Sequence, residues 1–346
     1  MIDQSRTQSW NSWCRRGWCR HGAVHRYRRG KGIALGCFLV WVILVTPASV
    51  LSAQELPHRV TDGLADLRPE GLDVTAPQVA ERGRALLRAA WERHGGAAWK
   101  EHATLQMTGT DFWREPGPWW PQQNQDVRLL QLLGTFTSRA TLLDGPGAGS
   151  VWGLQSWRPY KVSADDSRPT FLDTDLAIEF YLTSLHYFNE LPFRLMDAPI
   201  VADLGPEELH GLTYDRVFVT WNAPQPTTDA DHYVVWIERF RGLITKTHYT
   251  VRDAATMPFV PDEQRPMMRA GAAGTIHFSD FRTVDGVELP FRHVVTMFGP
   301  HEAGPDPGES PAWVHIFEAR EAAFDGEPAP SLLPDPTLPD PADRKP

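Results

Sequence analysis

GTIHFSDFRTVDGVELPFRHVVTMF, residues 274–298, sets two alternating runs on either side of Asp285-Gly286. Asp-Gly between such runs is a strong signal for a two-residue hairpin turn. The turn sets the register: Val284 opposes Val287, so Phe278 opposes His293. One face then carries Ile276, Phe278, Asp280, Phe291, His293, Val295 and Met297. The other carries Thr275, His277, Ser279, Arg292 and Thr296. The first face is mostly apolar and should look at a core or a hollow. The hairpin therefore predicts an antiparallel sheet, wet on one side and covered on the other.

Strand patterns extend both ways from this hairpin. Upstream are 104–113, 135–143, 150–157 and 158–163, then 213–221, 231–238 and 242–253; downstream is 313–320. Short turns join most of them, which predicts a sequential antiparallel meander. Two helices are available as the cover. The first spans 77–93, with Thr75 as N-cap, Pro77 in the first turn and Val79, Leu86, Leu87, Ala90 and Trp91 at helical spacing. It closes on Glu92-Arg93-His94-Gly95-Gly96, where Gly95 suits a left-handed C-terminal position. The second spans Asp173–Asn189, capped by Asp173 or Thr174 and ended by Pro192. The fold class is α+β.

YFNELPFRLMDAPIV, residues 187–201, is too short and too broken by proline to cross a membrane, and too apolar for an ordinary surface loop. It is expected to leave the second helix and pass over the mouth of the sheet, with Tyr187, Phe188, Leu191, Phe193 and Leu195 packed down. Two readings stand, a core plug or a lid on a lipophilic ligand. The plug is the more ordinary, because apolar side chains are usually buried for packing.

The first 53 residues read differently. Arg15, Arg16, Arg20, Arg26, Arg28, Arg29 and Lys31 lead into an apolar run, 32–45, and then into TPASVLSAQE. This is the order of a secretory signal, with a cut expected after Ala53. The alternative is an uncleaved anchor, although the run is short of the roughly 20 residues a spanning helix needs. All three cysteines, Cys14, Cys19 and Cys37, lie in this lead, so residues 54–346 hold no disulfide and no thiolate. The lead carries eight Lys and Arg and one acid, so without it the net charge moves from −9 to −16. That opposes binding to nucleic acid. The expected organisation is a signal over 1–53, a loose segment over 54–75, one domain over 76–325 and a disordered Pro/Asp-rich tail over 326–346.

Several ordered motifs carry a resemblance. His94-Gly95-Gly96 with Trp99, YFNELPFRLMDAPIV, GLTYDRVFVTW, DHYVVWIE and FSDFRTVDGVELPF together resemble a group of exported proteins similar to the lipoprotein carriers LolA and LolB. The resemblance covers roughly residues 77–298. It implies an unclosed antiparallel half-barrel whose apolar concave face is plugged by helices. The LolA/LolB branch uses that hollow for the acyl chains of a lipoprotein. The candidate cavity residues are then Phe180, Tyr187, Phe188 and Phe193 above, and Phe278, Phe291, His293 and Val295 below. Residues 113–126 are long for the family, and Trp119-Trp120 between prolines is read as a rim element touching a membrane or a partner.

Other chemistry is thinly represented. There is no HExxH, and the hairpin register sends His277 and His293 to opposite faces, so no metal site is expected. GxSxG is absent. Asp280 with His293 is the one acid–base pair a hydrolase could use. No catalytic residue and no cofactor is assigned. The expected function is binding of a lipophilic ligand, a lipid or the acyl chains of a lipoprotein, in the cell envelope. The alternatives are a structural or partner-binding envelope protein with a packed core, and a hydrolase using the same cavity.

Overall fold

The computed structural model describes residues 59–114, 124–252, 257, 260, 262–271, 273–297, 313–335 and 337–338. The 1–53 stretch expected to be a signal, the rim candidates Trp119 and Trp120, and the end of the tail lie outside them. In chain order the elements are β1 (Arg59–Thr61), β2 (Leu64–Asp66), α1 (Pro77–Arg93), α2 (Gly96–Trp99), β3 (Thr104–Trp113), β4 (Asn124–Leu132), β5 (Ser138–Leu142), β6 (Val151–Gln155), β7 (Arg158–Val162) and β8 (Thr170–Phe171). Then come α3 (Leu176–Arg194), β9 (Ile200–Leu209), β10 (Leu212–Thr220), β11 (Tyr233–Glu238), β12 (Leu243–Thr250), α4 (Arg265–Gly271), β13 (Ala273–Val284), β14 (Val287–Met297) and β15 (Trp313–Phe324).

Strands β3 to β15 form one antiparallel sheet of 13 strands, ordered β8-β7-β6-β5-β4-β3-β15-β14-β13-β12-β11-β10-β9. The expected meander is thus two meanders, joined where the last strand pairs with the first: Trp113 opposes His315 and Asp111 opposes Phe317. The sheet is open, with β8 and β9 as its edges. These edges are neighbours in the chain, and α3 is the connection between them. This is the α+β half-barrel that the sequence predicts.

Helix α3 fills the concave face. Its first half puts Ile178, Tyr181, Leu182 and Leu185 into a cluster with Leu105, Met107, Phe291 and Phe317. Its second half puts Phe188 and Leu191 into another, with Val217, Val235, Ile276, Phe278 and Val295. Each large side chain so buried is worth about 2 kcal/mol in apolar transfer. Asp175 caps the helix by accepting from the Ile178 N–H at 3.1 Å. Pro192 does not end it; the proline lies inside its last turn, and a 3₁₀ turn, Leu195–Asp197, follows. Burial of Leu191, Phe193 and Leu195 outweighs the one backbone hydrogen bond that Pro192 removes.

Helix α1 covers the β9 edge. At Gly83 an added Cβ would lie 2.8 Å from both the Ala202 carbonyl carbon and the Asp203 nitrogen, so only glycine permits this approach. Arg82 bonds Asp203 at 2.8 Å beside it. Ala76, not Thr75, is the N-cap, because Asp73 Oδ1 already takes the Thr75 N–H and hydroxyl.

Three other expectations change. The segment read as loose holds the β1–β2 hairpin, and its Leu67 and Val74 pack with Val79 on Phe218, Val234 and Trp236. The convex face is therefore covered, not wet, over β10 and β11. Arg252 reaches from β12's exit to the Ala65 carbonyl and fastens the hairpin down. The start of the Pro/Asp-rich tail is docked as well: Leu332 is fully buried, and Gln155 exchanges two hydrogen bonds with the Asp335 main chain at 2.7 and 3.0 Å. Strands β4 and β9 escaped the sequence reading, β4 through its Gln and Asp and β9 through Gly205 and Pro206.

Candidate functional site

The hairpin pairs as its turn dictates, Val284 with Val287 and Phe278 with His293. Asp285 and Gly286 take φ of +48° and +84°, as a type I′ turn requires. Phe278 and Val295 lie in the cluster around Phe188. Phe291 and Phe193 lie in the cluster around Tyr181, where Phe193 stacks on Trp99 at 4.0 Å. Phe180 and Tyr187 are half-buried at the margins of these two clusters. The eight cavity candidates thus line the α3–sheet interface and fill it with packed side chains.

A polar seam runs between the two clusters, and His293 is its centre. Its ring is fully buried, 5.4 Å from the Phe278 ring and 5.9 Å from Phe317. Neither ring nitrogen has a hydrogen-bond partner of normal geometry. Burial, helped by nearby His315, pushes its pKa down to about 3, so at neutral pH the ring is uncharged and offers one donor and one acceptor. One strand over, Asp111 is buried and takes two bonds: His315 Nε2 at 2.5 Å and Trp113 Nε1 at 2.7 Å. The His315 and Trp113 rings stack at 4.3 Å. Tyr181 descends from α3 onto this group; burial, then the Asp111 charge, hold its phenol well above the usual range.

Asp111 and His315 were not read as a pair from the sequence. They are 204 residues apart and meet only because β15 pairs with β3. Asp280, by contrast, leaves the site. Its φ of +50° interrupts the strand alternation, and its half-exposed carboxylate pairs with Arg282 at 2.6 Å. The Asp280–His293 pair that a hydrolase would need is not formed.

A second buried polar group pins α3 to the β4–β5 turn. Glu190 accepts from the Gly134 N–H at 2.9 Å, contacts His186 at 3.1 Å and pairs with Arg194 at 2.6 Å. Asn189 donates to Gln131 at 3.0 Å. The spacing His186, Glu190, Arg194 at i, i+4 and i+8 was visible in the sequence as a helical charge ladder. A shallow depression of about 80 Å³ lies elsewhere, between α1 and the exit of α3, lined by Arg84, Leu87, Arg88, Leu195, Met196 and Val201. That is well below the roughly 300 Å³ at which small-molecule sites begin. Among the described residues no three acidic, His or Cys side chains gather as metal ligands. No described helix is long and apolar enough to cross a membrane.

The chain is similar to solved LolA-type structures. A domain assigned to outer membrane lipoprotein sorting from Vibrio parahaemolyticus shares 11% identity, covering 73% of this chain and 97% of that one, with a TM-score of 0.43. A LolA superfamily protein from Nitrosomonas europaea shares 10% over 72% and 95%, with a TM-score of 0.41. A DUF1329 family protein from Desulfovibrio piger shares 10% over 73% and 95%, with a TM-score of 0.43. No family model and no curated protein matches the sequence. At these scores the architecture stands on the sheet itself, and the likeness assigns no ligand.

Proposed function

We propose that this is an exported envelope protein that takes up a lipophilic ligand, a lipid or a lipoprotein acyl chain, between α3 and the concave face of the sheet. One observation carries the reading. The helix that fills the hollow is the connection between the two edge strands, and it shares no ladder hydrogen bonds with the sheet. It can lift from the apolar face without breaking a strand pairing. The surface it would uncover is lined by Phe278, Phe291, Val295 and Phe317, with His293 as a polar contact. The test is native mass spectrometry of the protein purified from an envelope fraction, followed by solvent extraction. A co-purifying acyl species, and binding of a fluorescent fatty acid that protects α3 amides from exchange, is the expected result. An empty protein that refuses the probe overturns the proposal.

The packing of the eight cavity candidates favours a second reading, a partner-binding envelope protein whose core stays closed. Under that reading α3 amides exchange only with global unfolding, with or without lipid.

A further inference from the structure

The depression between α1 and the exit of α3 is small, but its floor belongs to the hollow. Its apolar lining is Leu87, Leu195, Met196 and Val201. Leu87, Leu195 and Val201 are buried members of the cluster that holds Phe188, Leu191, Phe278 and Val295, and Met196 packs against it. The core under the second half of α3 therefore reaches the surface here. The volume, about 80 Å³, exceeds the roughly 10–15 Å³ that one water needs and falls far short of a whole lipid. It suits one end of a molecule whose remainder lies elsewhere.

Two arginines form the rim. Arg84 and Arg88 are one helical turn apart on α1, with Leu87 on the same face. Both are exposed. Arg84 donates through Nη1 and Nη2 to the Ala198 and Pro199 carbonyls, at 3.3 and 2.7 Å, which leaves its Nε–H unused by the protein and its charge without a counter-ion. The other two arginines on this side of the sheet differ: Arg82 pairs with Asp203 at 2.8 Å, and Arg93 lies 3.8 Å from Glu288. Glu81, Glu92 and Asp197 are exposed and close in the chain, yet among the described residues none forms an ion pair with Arg84 or Arg88. Like charges one turn apart repel, so the fold gains nothing from placing them together. The net charge of the chain is −9, so an unneutralised cationic pair is a local feature and not part of a basic surface.

An apolar floor continuous with the hollow and a cationic rim match a molecule with an apolar tail and an anionic head. We propose that Arg84 and Arg88 hold the head of a lipid, a carboxylate or a phosphate, whose acyl chain lies under α3. Guanidinium groups suit either head, because each presents at least two acceptor oxygens. The assignment rests on the carrier reading and narrows it: the cargo is an acidic lipid, not an acyl chain still joined to a lipoprotein.

The test is fluorescence titration of the protein with three probes of one chain length, each kept below its aggregation concentration. They are a fluorescent fatty acid, its methyl ester and a lysophosphatidic acid bearing the same fluorophore. The fatty acid, the lysophosphatidic acid or both should bind about tenfold tighter than the ester at low salt, and whichever gains identifies the head. Arg84→Gln with Arg88→Gln should abolish that advantage and leave the affinity for the ester unchanged. Added sodium chloride should narrow it in the wild type. Arg88→Gln alone, which breaks no hydrogen bond, serves if the double variant fails to fold, with a loss of about threefold expected. Equal affinity for all three probes, or an acid advantage that survives in the variants, overturns the head-group site and leaves the carrier reading standing. Binding of no probe overturns both.

Discussion

His94 and Glu288 hold each other in both directions: the imidazole Nδ1–H donates to the Glu288 carbonyl at 3.1 Å, and the Glu288 N–H donates to the His94 carbonyl at 3.0 Å. The far ring nitrogen, Nε2, accepts the Ile244 N–H at 3.0 Å. That set of bonds requires the neutral ring with its proton on Nδ1. One buried side chain at the end of α1 thereby ties the helix to β12 and β14.

His94→Ala removes both side-chain bonds, leaves the Ile244 donor buried without a partner and opens a cavity. Loss of about 3 kcal/mol of stability is expected. Urea unfolding of the wild type and the variant measures it; a loss under about 1 kcal/mol would show that the ring is dispensable.

Acid should weaken the fold before the carboxylates titrate. Burial lowers His94 and His232 from 6.5 to about 4, and His277 and His293 to about 3. Each binds a proton in the unfolded chain first. Its contribution is therefore complete above pH 6.5 and declines as pH falls from there toward the folded value, by about 1.4 kcal/mol per pH unit. For His94 this totals about 3 kcal/mol by pH 4. Unfolding free energies at pH 7.5, 6 and 5 should fall steeply, and His94→Gln should flatten the slope by about one proton. Parallel slopes in the two proteins would refute the assignment.

Gly95 meets the hairpin turn. Its φ is +82°, and a Cβ there would collide with the Gly286 carbonyl oxygen. Gly211 has a similar φ of +78° and nothing within 4 Å. Gly211→Ala should cost about 1 kcal/mol of backbone strain, and Gly95→Ala at least twice that. Equal losses in chemical denaturation would mean that the turn does not press on the helix end.

The two sides of the seam should respond oppositely. Asp111→Ala strands His315 Nε2 and Trp113 Nε1 in the core and should cost about 3 kcal/mol. His293→Leu replaces a buried ring whose nitrogens lack a hydrogen bond of normal geometry by an apolar side chain and should be neutral or stabilising by about 1 kcal/mol. Melting temperatures give the sign directly, and a strongly destabilised His293→Leu would show that the imidazole is bonded after all.

Much of the β13–β14 hairpin was legible, because a two-residue Asp-Gly turn leaves one register open and alternation then assigns the faces. The sequence also placed both covering helices and eight further strands through period and punctuation. It misread Asp280, whose left-handed φ reverses the local alternation, and Pro192, whose breaking tendency yields to the burial around it. These are places where a local rule meets a stronger nonlocal term.

What the sequence by itself determined is thus local: turn, period, face and the apolar character of the concave side. Only the tertiary structure decided that β15 returns to pair with β3, that Asp111 meets His315 across 204 residues, and that residues 59–76 cover the convex face over β10 and β11. Pairings of that span leave no trace in neighbouring residues. Their free energy comes from closing long loops against buried area and matched hydrogen bonds, which exist only once the whole sheet is assembled.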